Sequence, residues 1–407
     1  MLTQSITAIK AAEGSLSLLE KYCRLEEYKG WDPYDGLNSA VFKGLPLLKN
    51  SVLARLAWIQ LFKRSPVNLR RLCFVPKGHN PKGNALLISG YCNLFRRQAL
   101  TGKNQSGSGQ ELLQIIKNLA DRLISLRSDK CRHGSAWGYN FDWQARRLFL
   151  FPEGTPTVVV TSFCASALFD AYEVTGREEY LSVALSTSDF VMNDLHRTKK
   201  ENGFLFSYSP LNGNNTVYNA SLLGTKLLSQ CYHYTKNEIH LEAARESAGA
   251  CTEAQNDDGS WFYGELPVQQ WIDSFHTGYN LEALVIYQQL TGDTSFSGSI
   301  DRGFNFYLNY FFLPDGTPKY YHNKTYPIDI HSPAQLIVAL CRAGKLEEHR
   351  ELAEKVFNWT FNNMQDPSGY FYYQKHRLYT NKISYMRWSN AFMFNALSLY
   401  LLHSSDK

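Results

Sequence analysis

A carboxylate, an imidazole and a phenol lie within two helical turns of one another at Asp273, His276 and Tyr279. His276 and Tyr279 are three positions apart, which places them on one face of a helix. A second acid–imidazole pair, Asp329 and His331, occurs about one repeat later. Paired carboxylates across a sugar-sized cleft would support glycoside hydrolysis. Imidazole and phenol groups could instead remove a proton beside a uronate carboxyl, in epimerisation or β-elimination. The residues leave both reactions open.

Arg387 completes the predicted catalytic set, because its guanidinium could neutralise a carboxylate on a substrate. Aromatic residues are predicted to stack on sugar rings, and polar residues ahead of helices to bind hydroxyl groups. The alternative for Ser162, Asn219 and Asp329 is ordinary capping of a helix N-terminus. The predicted binding residues are Trp137, Tyr139, Asp142, Trp143, Tyr218, Asn219, Trp261, Tyr263, Asn280, Trp388 and Asn390.

The elements that must position these groups follow a repeat. Five times a glycine is followed within a few residues by a cluster of aromatic side chains. The glycines are Gly134, Gly203, Gly259, Gly316 and Gly369. Such even spacing indicates a repeat architecture, with each aromatic loop lying between two helices.

Two sets of helices alternate along the chain from about residue 84. The small-residue-rich inner set is predicted at Ala85–Leu100, Ser162–Val174, Asn219–Tyr234, Tyr279–Leu290, Pro333–Ala343 and Asn390–Leu402. The outer set is predicted at Glu111–Arg127, Glu178–Leu195, Glu238–Gln255, Ser299–Tyr310 and Glu347–Met364. Gly176 and Gly292 suit helix C-caps.

This pattern predicts an all-α (α/α)6 toroid, with an open α-solenoid as the alternative. Residues 84–407 form the toroid, and residues 1–83 form an N-terminal helical segment that packs on it and could supply a sixth outer helix. In a toroid the aromatic loops and the inner-helix N-termini share one face. The predicted site residues should therefore converge there from separate repeats.

The chain of 407 residues has 44% hydrophobic and 19% charged residues, as an ordinary globular protein does. Its eight cysteines are scattered, several within apolar helical stretches, which is typical of free thiols in a reducing compartment. No basic segment followed by an apolar run is visible at the N-terminus. We expect a cytoplasmic protein, peripheral to the inner membrane if its basic segment binds lipid. No metal-binding or cofactor-binding motif is present.

Charge is unevenly distributed, because no acidic residue lies between Asp35 and Glu111 while twelve Lys and Arg do. This basic segment (residues 43–103) predicts an anionic partner, either a membrane surface or an acidic glycan. Nucleic acid is excluded as a partner because no binding module accompanies the charge. The stretch from Leu45 to Phe62 is apolar with spaced cations and could lie on a membrane. A basic helix packed within the domain is the alternative.

Two resemblances accompany these patterns. The run from Gln255 to Trp261 resembles the Q-x-x-x-G-x-W element that ties loops to helices in triterpene cyclases and related toroids, although their D-x-D-D motif is absent. Residues 31–39 (WDPYDGLNS), 76–83 (PKGHNPKG) and 137–144 (WGYNFDWQ) resemble bacterial capsule and O-antigen biosynthesis proteins. Some of those carry a δ-aminolevulinic acid dehydratase label, which does not suit this chain because its pattern is not that of a βα-barrel. The layout is similar, more distantly, to glucuronyl C5-epimerases and unsaturated glucuronyl hydrolases.

The resemblance implies a carbohydrate-active protein of surface-polysaccharide biosynthesis that binds a glycan or a lipid-linked oligosaccharide. Acid–base chemistry of epimerase, lyase or hydrolase type is expected. A non-catalytic glycan-binding or scaffold protein is the alternative from another class. An isoprenoid cyclase would need an apolar cavity where the residues predict a polar one.

Overall fold

In the computed structural model the chain is described for residues 2–102, 108–145 and 149–404. Lys103 of the basic segment lies outside these residues. The helices are α1 (Leu2–Leu25), α2 (Ala40–Lys43), α3 (Pro46–Lys49), α4 (Val52–Arg64), α5 (Pro81–Thr101), α6 (Ser108–Ser125), α7 (Val158–Thr175), α8 (Glu178–Asn193), α9 (Tyr218–Thr235), α10 (Glu238–Glu253), α11 (Ser274–Thr291), α12 (Ser297–Phe311), α13 (His331–Arg342), α14 (Arg350–Met364) and α15 (Phe392–His403).

The inner helices close into a ring. The inner helices pack on one another in the order α5, α7, α9, α11, α13 and α15, and α15 packs back on α5. An open solenoid would leave its first and last helices apart. The predicted all-α toroid is therefore confirmed.

The sixth outer helix comes from the N-terminus. Helices α6, α8, α10, α12 and α14 each pack outside the inner ring, and α1 packs against both α14 and α15. The start of the chain thus completes the hairpin that the end of the chain begins. Helix α5 starts at Pro81, slightly before the boundary that the sequence predicted at residue 83.

The five repeat glycines pack each loop on the next outer helix. All five have positive φ, from +67° at Gly134 to +118° at Gly203. A Cβ at any of them would lie within 2.4 Å of a backbone oxygen of α8, α10, α12, α14 or α1 in turn. The last of these contacts joins Gly369 to Leu18 and closes the outer ring. Glycine is required here by both the backbone conformation and the close approach.

Short strand pairs shape the rim. Strand β1 (Trp143–Ala145) pairs with β2 (Phe149–Phe151), and β3 (Arg197–Lys200) pairs with β4 (Gly203–Phe206). Strand β6 (Gln374–Lys375) lies between β5 (Ile328–Asp329) and β7 (Thr380–Asn381). All three sheets belong to the loops that lead into inner helices, so they stand at the mouth of the ring.

Five of the six inner helices begin earlier than the sequence predicted, and α15 begins two residues later. Helix α11 begins at Ser274, since Asp273 caps it by accepting a hydrogen bond from the backbone N–H of His276. The last inner helix is preceded by a π-helical turn, Met386–Ala391. Such turns widen a helix locally. At their other ends, α7 and α11 close on Gly176 and Gly292 in the left-handed conformation, as predicted.

Helix α7 is long and apolar enough to cross a membrane, but 67% of it is buried within the ring. Burial of that extent is what a core helix of the inner ring requires. All eight cysteines are free thiols, and six of them are buried.

Candidate active site

A cavity of about 490 Å³ opens at the N-terminal ends of the inner helices. The described residues that line it are mostly aromatic or basic. They include Tyr34, Lys63, Arg64, Lys82, Tyr139, Trp143, Tyr208, Asn219, Tyr263, Trp271, Phe275, His276, Tyr279, Tyr320, His331, Arg387 and Trp388. No Asp or Glu is among the described lining residues. The cavity wall therefore supplies bases, phenols and cations. The nearest carboxylates lie behind the wall, where they contact the lining residues.

His276 is held by the carboxylate of Asp273. One oxygen of Asp273 caps α11, and the other accepts hydrogen bonds from the His276 Nδ1–H at 2.7 Å and the Trp271 indole N–H at 2.8 Å. Asp273 is 2% exposed, whereas His276 reaches the cavity. A proton fixed on Nδ1 leaves Nε2 as the basic nitrogen of the ring. The predicted pair is therefore a dyad in which Asp273 orients His276 without reaching the cavity itself.

A second hydrogen-bonded chain joins Lys82, Tyr279 and His331. The Tyr279 hydroxyl lies 2.6 Å from His331 Nε2, and the Lys82 amine donates to the same hydroxyl at 3.3 Å. All three side chains are buried and line the cavity. The chain links groups from α5, α11 and α13, which are far apart in the sequence.

Burial disfavours the charged forms of the groups in this second chain. Desolvation is the main reason that the pKa of Lys82 and the pKa of His331 fall well below their ordinary values. The nearby charge of Arg387 lowers both further. Desolvation likewise raises the pKa of Tyr279 well above that of an ordinary phenol. Burial therefore favours the uncharged amine, phenol and imidazole in this chain.

Asp329 does not contact the imidazole of His331. Its carboxylate accepts hydrogen bonds from the His331 backbone N–H, the Trp388 indole and the Gln374 amide, at 3.0, 2.8 and 2.6 Å. Burial raises its pKa to about 6, although these donors act in the opposite direction. The second predicted acid–imidazole pair is thus corrected. Asp329 fixes the start of α13 and the Trp388 ring, because the helix start turns the imidazole away from it.

Arg387 is committed to an internal salt bridge. Its Nε and Nη2 donate to the two carboxylate oxygens of Asp32, at 2.5 and 2.8 Å, and both side chains are buried. The guanidinium also lies 5.1 Å from the centre of the Tyr139 ring and 5.0 Å from that of Trp388. The π-helical turn places Arg387 and Trp388 at the cavity wall. The predicted role of Arg387 as a free anion-binding group needs correction, since Asp32 already balances its charge.

Nine of the predicted site residues line the cavity together. They are Tyr139, Trp143, Asn219, Tyr263, His276, Tyr279, His331, Arg387 and Trp388. The convergence follows from the ring, which brings the N-termini of the inner helices to one mouth. The chemical roles of these residues remain predictions.

Trp137 and Trp261 lie in the core, where no sugar could stack on them. Their exposed fractions are 0% and 2%, and their indole N–H groups donate to the carbonyls of Leu123 and Cys251. Each closes the C-terminal end of an outer helix. Gln255 explains the resemblance to the Q-x-x-x-G-x-W element, since its amide binds the carbonyls of Gly259 and Ser299 and ties the loop to α12.

Four further predicted binding residues do not line the cavity. Asp142 accepts a hydrogen bond from the Glu153 backbone, and Asn390 holds the Phe371 backbone. Tyr218 and Asn280 are 8% and 2% exposed within α9 and α11. Asp142 and Asn390 thus hold loop backbone, whereas Tyr218 and Asn280 are buried in the ring.

Lys82 is the main site residue that the sequence did not single out. By sequence it is one of the cations of the basic segment. Pro81 and Lys82 follow the helix cap Asn80, so Lys82 stands in the first turn of an inner helix, where the other candidates were sought. That position is the signal that could have identified it. Among the described residues, no cluster of three His, Cys, Asp or Glu side chains is arranged to hold a metal ion.

No protein-family model and no curated protein match the chain. Solved structures similar in fold include cellobiose 2-epimerase from Bacillus thermoamylovorans B4167, with 12% identity and a TM-score of 0.62 over 81% of this chain and 90% of that one. An unsaturated glucuronyl hydrolase specific for heparin has 13% identity and a TM-score of 0.60 over 97% and 96% of the two chains. A family 76 glycoside hydrolase (mannosidase) from Bacteroides thetaiotaomicron VPI-5482 has 11% identity and a TM-score of 0.60 over 98% of each chain. This chain shares the α/α-toroid fold of glycan-active enzymes.

Proposed function

We propose that the protein is a carbohydrate-active enzyme that removes a proton from a sugar carbon and either returns a proton to the opposite face of that carbon, as an epimerase does, or passes it to the leaving oxygen as a carbon–carbon double bond forms, as a lyase does. The observation that carries this proposal is the composition of the cavity wall. Two imidazoles and seven tyrosine phenols, Tyr279 among them, face the cavity, and no carboxylate does among the described lining residues. Glycoside hydrolysis by the usual pair of carboxylates would need both at the wall, so the geometry favours proton transfer.

His276 serves as the base in this proposal. Asp273 holds its Nδ1 proton, which leaves Nε2 to accept a proton from a carbon beside a carbonyl or carboxyl group. Asp273 also stabilises the imidazolium that forms. Burial of Asp273 strengthens its attraction to that imidazolium, because the local dielectric constant is low.

Tyr279 serves as the group that stabilises the developing oxyanion. Its ring centre lies 6.0 Å from that of His276, so the two act on neighbouring atoms of one substrate. The Lys82 amine donates to the phenol oxygen, and the phenol proton is available to the substrate when it leaves His331. Donors placed before reaction at the site of charge development lower the barrier most.

Cations at the wall favour an acidic substrate. Lys63 lines the cavity and forms no salt bridge with any described carboxylate. A uronate carboxylate would be attracted to this end of the cavity, and its electron-withdrawing effect acidifies the neighbouring C–H bond. The fold neighbours that act on glycans support a sugar substrate in general terms, and the acidic sugar is our inference.

Hydrogen–deuterium exchange tests the reaction. The protein is incubated in heavy water with soluble oligosaccharides, with and without uronic acids, and the sugars are followed by NMR. We expect deuterium with inversion at one ring carbon for an epimerase, or an unsaturated product that carries no deuterium at that carbon for a lyase. His276→Ala and Tyr279→Phe should abolish exchange. His233→Ala, at the far end of α9, is the matched control and should retain it.

Other outcomes are decisive. Bond hydrolysis without carbon exchange would refute the proton-transfer proposal. Binding of a glycan without any turnover, unchanged in His276→Ala, would favour the non-catalytic alternative. Full activity in both variants would remove the assigned groups from the mechanism.

We further propose a role in surface-polysaccharide biosynthesis, supported by the resemblance of residues 31–39, 76–83 and 137–144. A strain lacking the protein is complemented with the natural chain or with His276→Ala. The sugar composition and stereochemistry of the surface polysaccharide are then compared. Restoration by the natural chain alone is expected, and an unchanged polysaccharide in the deletion strain would contradict the role.

A further inference from the structure

Helix α4 exposes an apolar stripe to solvent. Leu53, Ala57 and Leu61 recur at helical spacing and are all exposed, with Leu53 at 65% and Leu61 at 50%, and the exposed Arg64 follows them on the same face. On a surface helix of a water-soluble domain this face would be polar. The other faces of α4 are covered by the protein, because Ile59 and Phe62 are buried and further side chains of this helix line the cavity. The exposed stripe therefore has no partner in the described part of the chain.

Neighbouring segments extend this stripe. Helix α3 exposes Leu47 at 90% and is tied to α4 by a hydrogen bond from Arg55 to the carbonyl of Lys49. The turn between β6 and β7 exposes Leu378 at 93%, and Asn381 of this hairpin donates to the carbonyl of Ser65 just after α4. The name α4 surface is used below for a set of exposed side chains, namely those of Leu47, Leu48, Lys49, Val52, Leu53, Leu61, Arg64 and Leu378.

Exposed apolar side chains are concentrated in this region. Of the nineteen exposed large hydrophobic residues in the described ranges, ten fall between Val41 and Phe74. Single exposed leucines are normal, but a contiguous group marks a binding surface. Because α4 also forms one wall of the cavity, through Leu56 and Gln60 among others, this surface borders the mouth.

The charge of the region identifies the partner. No acidic residue lies between Asp35 and Glu111, and Asp32 and Asp35 are buried. Arg70, Lys77, Arg96 and Arg97 form salt bridges within the protein, whereas Lys49 and Arg64 form none with described carboxylates. A second copy docked by a two-fold axis would set these cations against each other. An anionic surface that accepts leucine side chains would satisfy both features.

We propose that the α4 surface binds the anionic phospholipids of a bilayer and holds the cavity mouth at the membrane. Leucines enter the boundary between headgroups and acyl chains, while Lys49 and Arg64 meet phosphate groups. A sugar carried on a lipid could then reach the cavity without leaving the membrane. That last consequence rests on the proposed function, whereas bilayer binding does not.

Vesicle co-sedimentation tests the proposal. The full chain is mixed with phosphatidylcholine vesicles, with or without phosphatidylglycerol. We expect binding only with phosphatidylglycerol, and weakening by salt because screening reduces attraction between charges at the surface. Leu53→Asp with Leu61→Asp should lower the partition coefficient by at least about tenfold, since two apolar side chains would no longer enter the bilayer.

The matched control is Leu100→Asp with Ile239→Asp, two leucine-sized positions that are each 62% exposed away from the mouth. This control should bind like the natural chain, and melting temperatures verify that both double variants are folded. Equal loss in both, equal binding to neutral vesicles, or no binding at all would overturn the proposal. A dimer seen by light scattering that Leu53→Asp with Leu61→Asp dissociates would identify a second copy as the partner.

Failure of bilayer binding can be separated from failure of the proposed function. Leu53 and Leu61 do not line the cavity, so their double variant should still exchange deuterium into a soluble sugar. His276→Ala should bind vesicles as the natural chain does. Exchange activity without vesicle binding would refute only the membrane surface, and binding without exchange would refute only the enzyme.

Discussion

Replacing Lys82 with methionine is expected to stabilise the protein while impairing the proposed reaction. The Lys82 amine lies 4.0 Å from the centre of the Phe163 ring, 4.9 Å from that of Tyr279 and 5.1 Å from that of Phe392. It is 3% exposed and forms no salt bridge with a described carboxylate. Its one described hydrogen bond, to Tyr279, is long at 3.3 Å. Such a group loses its hydration on folding and recovers little of it.

The magnitude follows from these contacts. Removing a poorly satisfied buried polar group gains about 1–3 kcal/mol, and losing one hydrogen bond costs about 0.5–1.5 kcal/mol. Methionine fills nearly the same volume, so we expect a net gain in unfolding free energy of about 1 kcal/mol at about pH 10.4, and a larger gain near neutral pH, where the unfolded lysine is protonated. For 407 residues, an unfolding entropy of about 0.85 kcal/mol/K converts a gain of about 1 kcal/mol into a melting temperature higher by about 1 °C.

The dependence of the unfolding free energy on pH gives a second test of the charge state of Lys82. The pKa of Lys82 is lowered in the folded protein, while an unfolded lysine keeps its proton up to about pH 10.4. Between these values the unfolded chain binds more protons, so stability of the natural protein rises with pH. The advantage of Lys82→Met should therefore be largest near neutral pH and shrink as the pH approaches about 10.4.

Lys226 provides the matched control. It is also buried in the ring, at 5% exposed, but its amine lies 2.6 Å from the Glu282 carboxylate. Lys226→Met would leave that carboxylate buried without a counter-charge and should cost about 3–5 kcal/mol. Both variants are measured by calorimetry and urea unfolding across the pH range. A loss of stability in Lys82→Met similar to that in Lys226→Met, or a gain independent of pH, would show that Lys82 is charged in the fold and would refute the reasoning.

Two further predictions concern the ring and the dyad. Gly369→Ala would place a Cβ 2.2 Å from the Leu18 carbonyl oxygen at φ +106°, and should cost roughly 3 kcal/mol or more by forcing α1 outward. Gly292→Ala has φ +77° with nothing within 4 Å and should cost only about 1 kcal/mol, so comparable melting temperatures would argue against ring closure through α1. Asp273→Asn keeps the helix cap but disrupts the Nδ1 contact of His276, and should lower kcat about 10²–10⁴-fold with a smaller change in KM. An unchanged kcat in the exchange assay would remove Asp273 from its positioning role.

Local patterns in the sequence were enough for the fold. Helical spacing, the five repeat glycines and the glycine caps at Gly176 and Gly292 are encoded in short segments. They depend on backbone conformation and on periodic burial, which are properties of neighbouring residues. The repeat also determined which face would hold the site, since helices that alternate in direction bring their inner N-termini to one end.

The partners of each side chain could be known only from the tertiary structure. Trp137 and Tyr139 stand two residues apart in one aromatic loop, yet the first closes an outer helix in the core and the second faces the cavity. The pairing of Arg387 with Asp32 joins opposite ends of the chain, and Lys82 meets Tyr279 only because the ring closes. Long-range contacts of this kind depend on the angles between helices, which no local pattern specifies. The sequence thus determined the ring and its mouth, whereas packing across the ring decided which groups face the cavity and which charges remain unpaired.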